Sequence, residues 1–284
     1  MKFVSYSSGG TASFGRLLDD DRIVDLADAI EGVTSLREAL AADCLAELGR
    51  VDASTRDQHA LAGVTLLPVV PDPLKILCVG LNYRSHREET SRPAAEHPTI
   101  FPRYADSQTG QGGPLLKPAE TEEFDYEGEL AVVIGRPGRR ISRTAALNHV
   151  AGYSVYNDGS VRDWQRHTSQ FMPGKNFPST GAFGPALVTP DEVGELTELT
   201  LTTSVNGEER QRASIGDLIF DVATLIEYVS TFTPLSAGDV IVTGTPAGVG
   251  LFREPPTFLQ VGDKVEVHID RVGTLVNVVA DDGA

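Results

Sequence analysis

The amino-acid sequence predicts a mainly β protein, a mixed and largely antiparallel roll or sandwich, with a small α+β region at its N-terminal end. Three observations carry that prediction. Short apolar or alternating runs recur from residue 74 to the end. An Asn206-Gly207 pair, the favoured two-residue hairpin turn, separates two of them. No strand–helix–strand rhythm repeats, which argues against a doubly wound parallel sheet.

Residues 1–70 read as an accessory domain. Lys2 to Tyr6 and Ser13 to Leu18 are short strands around Gly9-Gly10, and Leu36 to Leu48 carries a helical apolar stripe that stops at Gly49. Pro68, Pro71 and Pro73 form a stiff connector and the best boundary, so residues 71–284 make the second, larger domain. Within it, the continuous apolar run Leu74 to Val79 suits a buried strand. Glu127 to Ile134, Gly152 to Asn157, Leu199 to Val205, Glu208 to Ala213 and Asp239 to Thr243 are further strands. Lys264 to Asp270 alternates strictly, and a last strand follows Gly273. Asp221 is placed to cap a helix whose buried face is Val222, Leu225, Ile226 and Val229.

Composition narrows the function. With 40 acidic against 24 basic residues the net charge is −16, and only five residues are lysines, so a nucleic-acid surface is excluded. No apolar run has signal-peptide or bilayer-spanning length, which makes a cytoplasmic protein without membrane contact the expectation. Cys44 and Cys78 form no metal-binding or redox motif and read as reduced, buried thiols.

The segment Asp125-Tyr126-Glu127-Gly128-Glu129-Leu130 carries the strongest chemical signal. Residues two apart in a strand face the same side, about 6.5–7 Å apart. Glu127 and Glu129 therefore project together at the head of a strand too apolar for the surface. Such a pair also fits a solvated strand end; inside a core it needs a cation between the carboxylates. Asp158, at the end of the Gly152 to Asn157 strand and beside a glycine, reads as a turn former or as a third carboxylate, and it precedes a polar group that holds the only tryptophan. Three oxygen ligands suit Mg²⁺ or Mn²⁺ better than zinc, and Ca²⁺ also satisfies them.

Two further features bear on catalysis. If the chain turns helical from Tyr83, His86 and Glu89 meet three residues apart, as a carboxylate-oriented general base or as a surface ion pair. Lys175 sits in a loop bounded by glycine and proline, where it reads as an anion or enolate contact or as an exposed loop lysine. The run Gly244 to Gly250 follows a strand without opening a helix, so it lacks the terminus on which a phosphate would rest.

Taken together these segments resemble the fumarylacetoacetate hydrolase family. The matching runs are VGLNYRSHREE (79–89), DYEGELAVVIG (125–135), YNDGSVRDWQ (156–165), GKNFPSTGAFGP (174–185) and GDVIVTGTPAGVG (238–250). The resemblance implies a mixed β-sandwich roll assembled as a homodimer, with Glu127, Glu129 and Asp158 as metal ligands. It implies a water-activating pair of His86 and Glu89, and contacts to substrate or to groups around the metal from Arg162, Gln165, Lys175 and Thr245. The segment Phe101 to Gly113 departs from the shorter aliphatic version of small acylpyruvases, which bears on the substrate. The expected activity is metal-dependent hydrolysis of a carbon–carbon bond in a small diketo acid of the acylpyruvate or fumarylacetoacetate type. A decarboxylase or enol–keto isomerase of a 2-oxo acid is the alternative on the same site. A non-catalytic metal- or ligand-binding protein is the rival from another class, and it leaves His86, Glu89, Lys175 and Arg162 without a purpose.

Overall fold

The computed structural model describes residues 1–19, 21–90 and 95–283. Two sheets dominate the described residues. The larger runs in the order Gln58–Ala60, Arg22–Asp25, Thr11–Asp19, Lys2–Ser8, Gly181–Val188, Val150–Asn157, Gly128–Ile134, Val240–Val242, Ile76–Gly80, Thr99–Arg103. The smaller places Glu208–Ser214, Thr200–Val205, Lys264–Ile269, Gly273–Asp281 and Pro114–Lys117 side by side. Most pairings are antiparallel; Val240–Val242 with Ile76–Gly80 is parallel. This is the mixed β-sandwich roll that the sequence predicts. Among the described residues, no helix is long and apolar enough to cross a membrane.

The strand Gly128–Ile134 is buried along its whole length because it is covered on both faces. Leu130, Val132 and Ile134 pack towards the smaller sheet and the helix Val222–Phe232. Ala131 and Val133 face the other way, into a core shared with Phe3, Phe14, Leu36 and Leu40. The N-terminal strands join this same sheet, with Lys2 opposite Val188 and Phe3 opposite Leu187.

Local sequence accounts for several boundaries. Asp221 accepts the Thr224 N–H at 2.8 Å and starts its helix as expected. Asn206 and Gly207, at φ 53° and 80°, make the hairpin turn. The stripe from Leu36 to Leu48 departs from expectation: it forms two short helices, Leu36–Ala41 and Leu45–Leu48. Asp43 between them takes φ 53°, which interrupts the helical hydrogen bonding while the apolar face stays buried. Both cysteines are free and buried.

Candidate active site

Three carboxylates converge where two central strands end. Gly128 and Glu129 lie opposite Asn157 and Tyr156, so Glu127, Glu129 and Asp158 meet at one end of the sheet. Two further bonds lock the junction: the Asp158 N–H donates to the Glu127 carbonyl at 2.8 Å, and the Glu127 N–H to Asn157 Oδ1 at 3.0 Å. One carboxylate oxygen from each of the three residues lies within 4.8 Å of the others, and all three residues are buried.

The cations around them are unevenly shared. Lys175 Nζ lies 2.7 Å from Glu127 Oε2 and 2.8 Å from Asp158 Oδ2. The Arg162 guanidinium reaches Glu127 Oε1 at 2.6 Å and Asp125 Oδ2 at 2.8 Å. Arg103 pairs with Asp158 Oδ1. Burial pushes the Glu127 carboxyl up, but Lys175 and Arg162 together outweigh it and hold the group at about 2. Glu129 accepts the Gly244 N–H and has no direct ion pair among the described residues. Burial, then the neighbouring charges of Asp158 and Glu127, push its carboxyl well above the usual range. Four buried carboxylates thus face three buried cations, with the deficit at Glu129. An all-oxygen donor set with unbalanced negative charge fits a hard divalent cation and offers nothing to a metal that prefers sulfur or nitrogen.

Opposite this floor stands a short helix, Arg84–Glu89. His86 Nδ1 lies 2.9 Å from Glu89 Oε2, and the other Glu89 oxygen accepts the Gly248 N–H at 2.9 Å. Glu89 as acceptor assigns the proton to Nδ1 and leaves the lone pair on Nε2. The Phe252 ring meets the imidazole edge-on at 6.2 Å between centroids.

The loop after Val242 serves both sides. Its amides at Gly244, Gly248 and Gly250 donate to Glu129, Glu89 and Asp125 respectively. Gly244 has φ 107°, and a Cβ there would stand 2.7 Å from that of Asn82, so glycine is required. The loop holds carboxylates with the backbone groups that a phosphate loop would offer its ligand. The Thr245 hydroxyl donates to the Gly128 carbonyl at 3.0 Å and accepts from Gln211 Nε2 at 2.8 Å.

A cavity of about 280 Å³ opens between floor and helix. His86, Glu127, Glu129, Arg162, Gln165, Lys175 and Thr245 line it, whereas Asp158 and Glu89 stand behind the lining. All nine residues singled out in the sequence therefore gather in one place. Of the six histidines, His86 is the one that lines the cavity. Sequence reasoning missed Asp125, which orients Arg162, and Arg103, which grips Asp158; both pairings span tens of residues and leave no local pattern. It also missed the apolar wall of Phe101 and Phe171 and the rim cation Arg166.

Comparison with known proteins agrees with this architecture. Residues 75–280 match the model for the fumarylacetoacetate (FAA) hydrolase C-terminal domain. The chain is 39% identical, over 98% of its length and 100% of the relative's, to oxaloacetate tautomerase YisK of Bacillus subtilis. A fumarylacetoacetate hydrolase from Exiguobacterium antarcticum superposes with a TM-score of 0.88 at 36% identity, covering 99% of both chains. Maleylpyruvate hydrolase from Sphingobium, solved with manganese(II) and pyruvate, gives 0.82 at 26% identity, again covering 99% of both. With the fold, the carboxylate cluster and these likenesses in agreement, the chain belongs to the fumarylacetoacetate hydrolase family of enzymes.

Proposed function

We propose that this enzyme interconverts the enol and keto forms of a small 2-oxo dicarboxylic acid of the oxaloacetate type. The observation that carries the reading is full-length similarity to an oxaloacetate tautomerase. It reverses the order expected from the sequence, where carbon–carbon hydrolysis stood first. The site chemistry is compatible, because tautomerisation needs a base, an enolate-stabilising charge and no attacking water.

Glu127, Glu129 and Asp158 would hold Mg²⁺ or Mn²⁺, with Ca²⁺ also compatible. The bound ion supplies charge stabilisation for an enolate and orients the 2-oxo acid. His86, oriented by Glu89, takes the proton from C3 at Nε2 as the electron pair moves towards the C2 oxygen. The proton returned to that oxygen completes the enol, and the reverse sequence gives the ketone. Lys175 sets its ammonium beside the developing negative charge. Arg162 holds Glu127 and Gln165 in place, with Gln165 and Thr245 lining the substrate space. Arg166, half-exposed at the rim and paired with Glu123, is the cation available to a distal carboxylate.

Hydrolysis of an acylpyruvate is the second reading, favoured by the likeness to maleylpyruvate hydrolase and by a base able to activate water. An assay following enol-oxaloacetate absorbance, with parallel detection of released CO₂ and of cleaved acids, separates them. Accelerated enol loss with neither by-product is expected. Cleavage of acylpyruvates without enol–keto turnover would overturn the tautomerase assignment. The proposed assembly is a homodimer, measurable by light scattering.

A further inference from the structure

Arg103 ends the strand Thr99–Arg103 at the edge of the larger sheet. Its side chain is fully buried, yet it lines no part of the cavity. Every nitrogen of the guanidinium is engaged. NH1 donates to Asp158 Oδ1 at 2.5 Å and to the Gly159 carbonyl at 2.9 Å. NH2 donates to Thr180 Oγ1 at 2.9 Å and to the Ser107 carbonyl at 3.2 Å, and Nε to Ser107 Oγ at 3.2 Å. The surrounding chain is shaped to admit it: a Cβ on Gly181 would stand 2.7 Å from NH2 and 2.8 Å from the guanidinium carbon. A buried cation with a fitted berth, directed at one oxygen of one carboxylate, is more than charge compensation.

We propose that Arg103 is a positioning residue for the metal centre, fixing the Asp158 carboxylate so that Oδ2, the oxygen turned to Lys175, is presented to the ion. The proposal rests on the reading of Glu127, Glu129 and Asp158 as metal ligands. Its physical basis is geometric. A planar guanidinium anchored through three nitrogens is itself immobile, so its single bond to Oδ1 pins that oxygen while Lys175 takes Oδ2, and the two contacts together set the rotation of the carboxylate. A flexible ammonium in place of the guanidinium would lose that anchorage. Groups that orient metal ligands from behind usually govern affinity by about 10–100-fold.

The test is Mn²⁺ titration of wild-type protein and of Arg103→Lys, followed by electron paramagnetic resonance of free ion, beside melting of the metal-free forms. Arg103→Lys keeps the charge and loses the fork. The expected result is Mn²⁺ affinity weaker by about 10–100-fold, a loss that a residue serving stability alone would not produce in folded protein. Affinity within about threefold of wild type in folded Arg103→Lys would overturn the proposal. Should that variant fail to fold, Thr180→Val decides it by removing one outer support of the fork. A loss of a few fold supports the proposal and an unchanged affinity overturns it. Wild-type protein that binds no Mn²⁺ would overturn the metal-site reading together with this one, whereas tight wild-type binding matched by the variants would sink this one alone.

Discussion

The floor and the roof of the cavity are built differently. The floor carboxylates stand at the ends of central strands, nearly inaccessible to solvent, cross-linked by main-chain bonds and gripped by buried cations. The roof is a six-residue helix with no side-chain cap at its start, steadied by Asn82, which bonds Phe220 and Thr243. Groups that would hold an ion sit on the most constrained backbone; the group that would move a proton sits on a short element joined to it by one loop. The difference predicts that the two tasks are separable by mutation.

The comparison breaks most visibly at Glu129. Glu129→Gln is expected to abolish Mn²⁺ binding and take kcat down by about 10³-fold or more, since the ion contributes several kcal/mol. Equilibrium dialysis with the enol assay checks it; retained metal and turnover would show that the floor is not the ion site. His86→Ala should lower kcat by about 10²–10³-fold and leave Mn²⁺ affinity unchanged. Loss of metal in that variant would show that floor and roof act as one unit.

Arg166→Met probes the rim. A charge-assisted contact at a half-exposed position predicts about a tenfold fall in kcat/KM for oxaloacetate, with little change for acetylpyruvate, which lacks the distal carboxylate. Equal losses on both substrates would remove the dicarboxylate assignment.

The smallest effect is on stability. Through burial, then Asp158 and Glu127, the folded chain holds the Glu129 proton more tightly than the unfolded chain does. Stability from this group is full below the unfolded carboxylate value, about 4.3, and declines as pH rises towards the raised native value. Glu127 has the opposite sign: its contribution is present above about 4.3 and is lost as pH falls towards about 2. Metal-free protein should therefore melt a few degrees lower as pH rises above the unfolded carboxylate value of about 4.3, and Mn²⁺ or Glu129→Gln should flatten that slope. A flat profile without metal would contradict the charge deficit at Glu129.

Sequence and structure agree where chemistry is local. The alternation of Lys264–Ile269, the Asn206-Gly207 turn and the Asp221 cap are each decided within a few residues. The paired carboxylates were legible because strand periodicity puts Glu127 and Glu129 on one face. Gly181–Val188 was missed although it is a central strand, because its two glycines and a proline imitate a loop. Thr99–Arg103 escaped for a related reason: Pro102 lowers strand propensity, and the strand tolerates it by lying at the sheet edge. Arg103 and Asp125 act on partners 55 and 37 positions away, so only the fold reveals them.

The loop from Gly244 to Gly250 has an evolutionary consequence. With the amides of Gly244, Gly248 and Gly250 tethered to three separate acids, an inserted or deleted residue between them would break the spacing that lets one loop hold all three. Heritable change in substrate has its room elsewhere, on the wall of Phe101, Phe171 and Arg166, where side chains can be exchanged without disturbing those tethers. A lineage drifting along that wall can acquire new substrates while its inherited reaction centre stays intact.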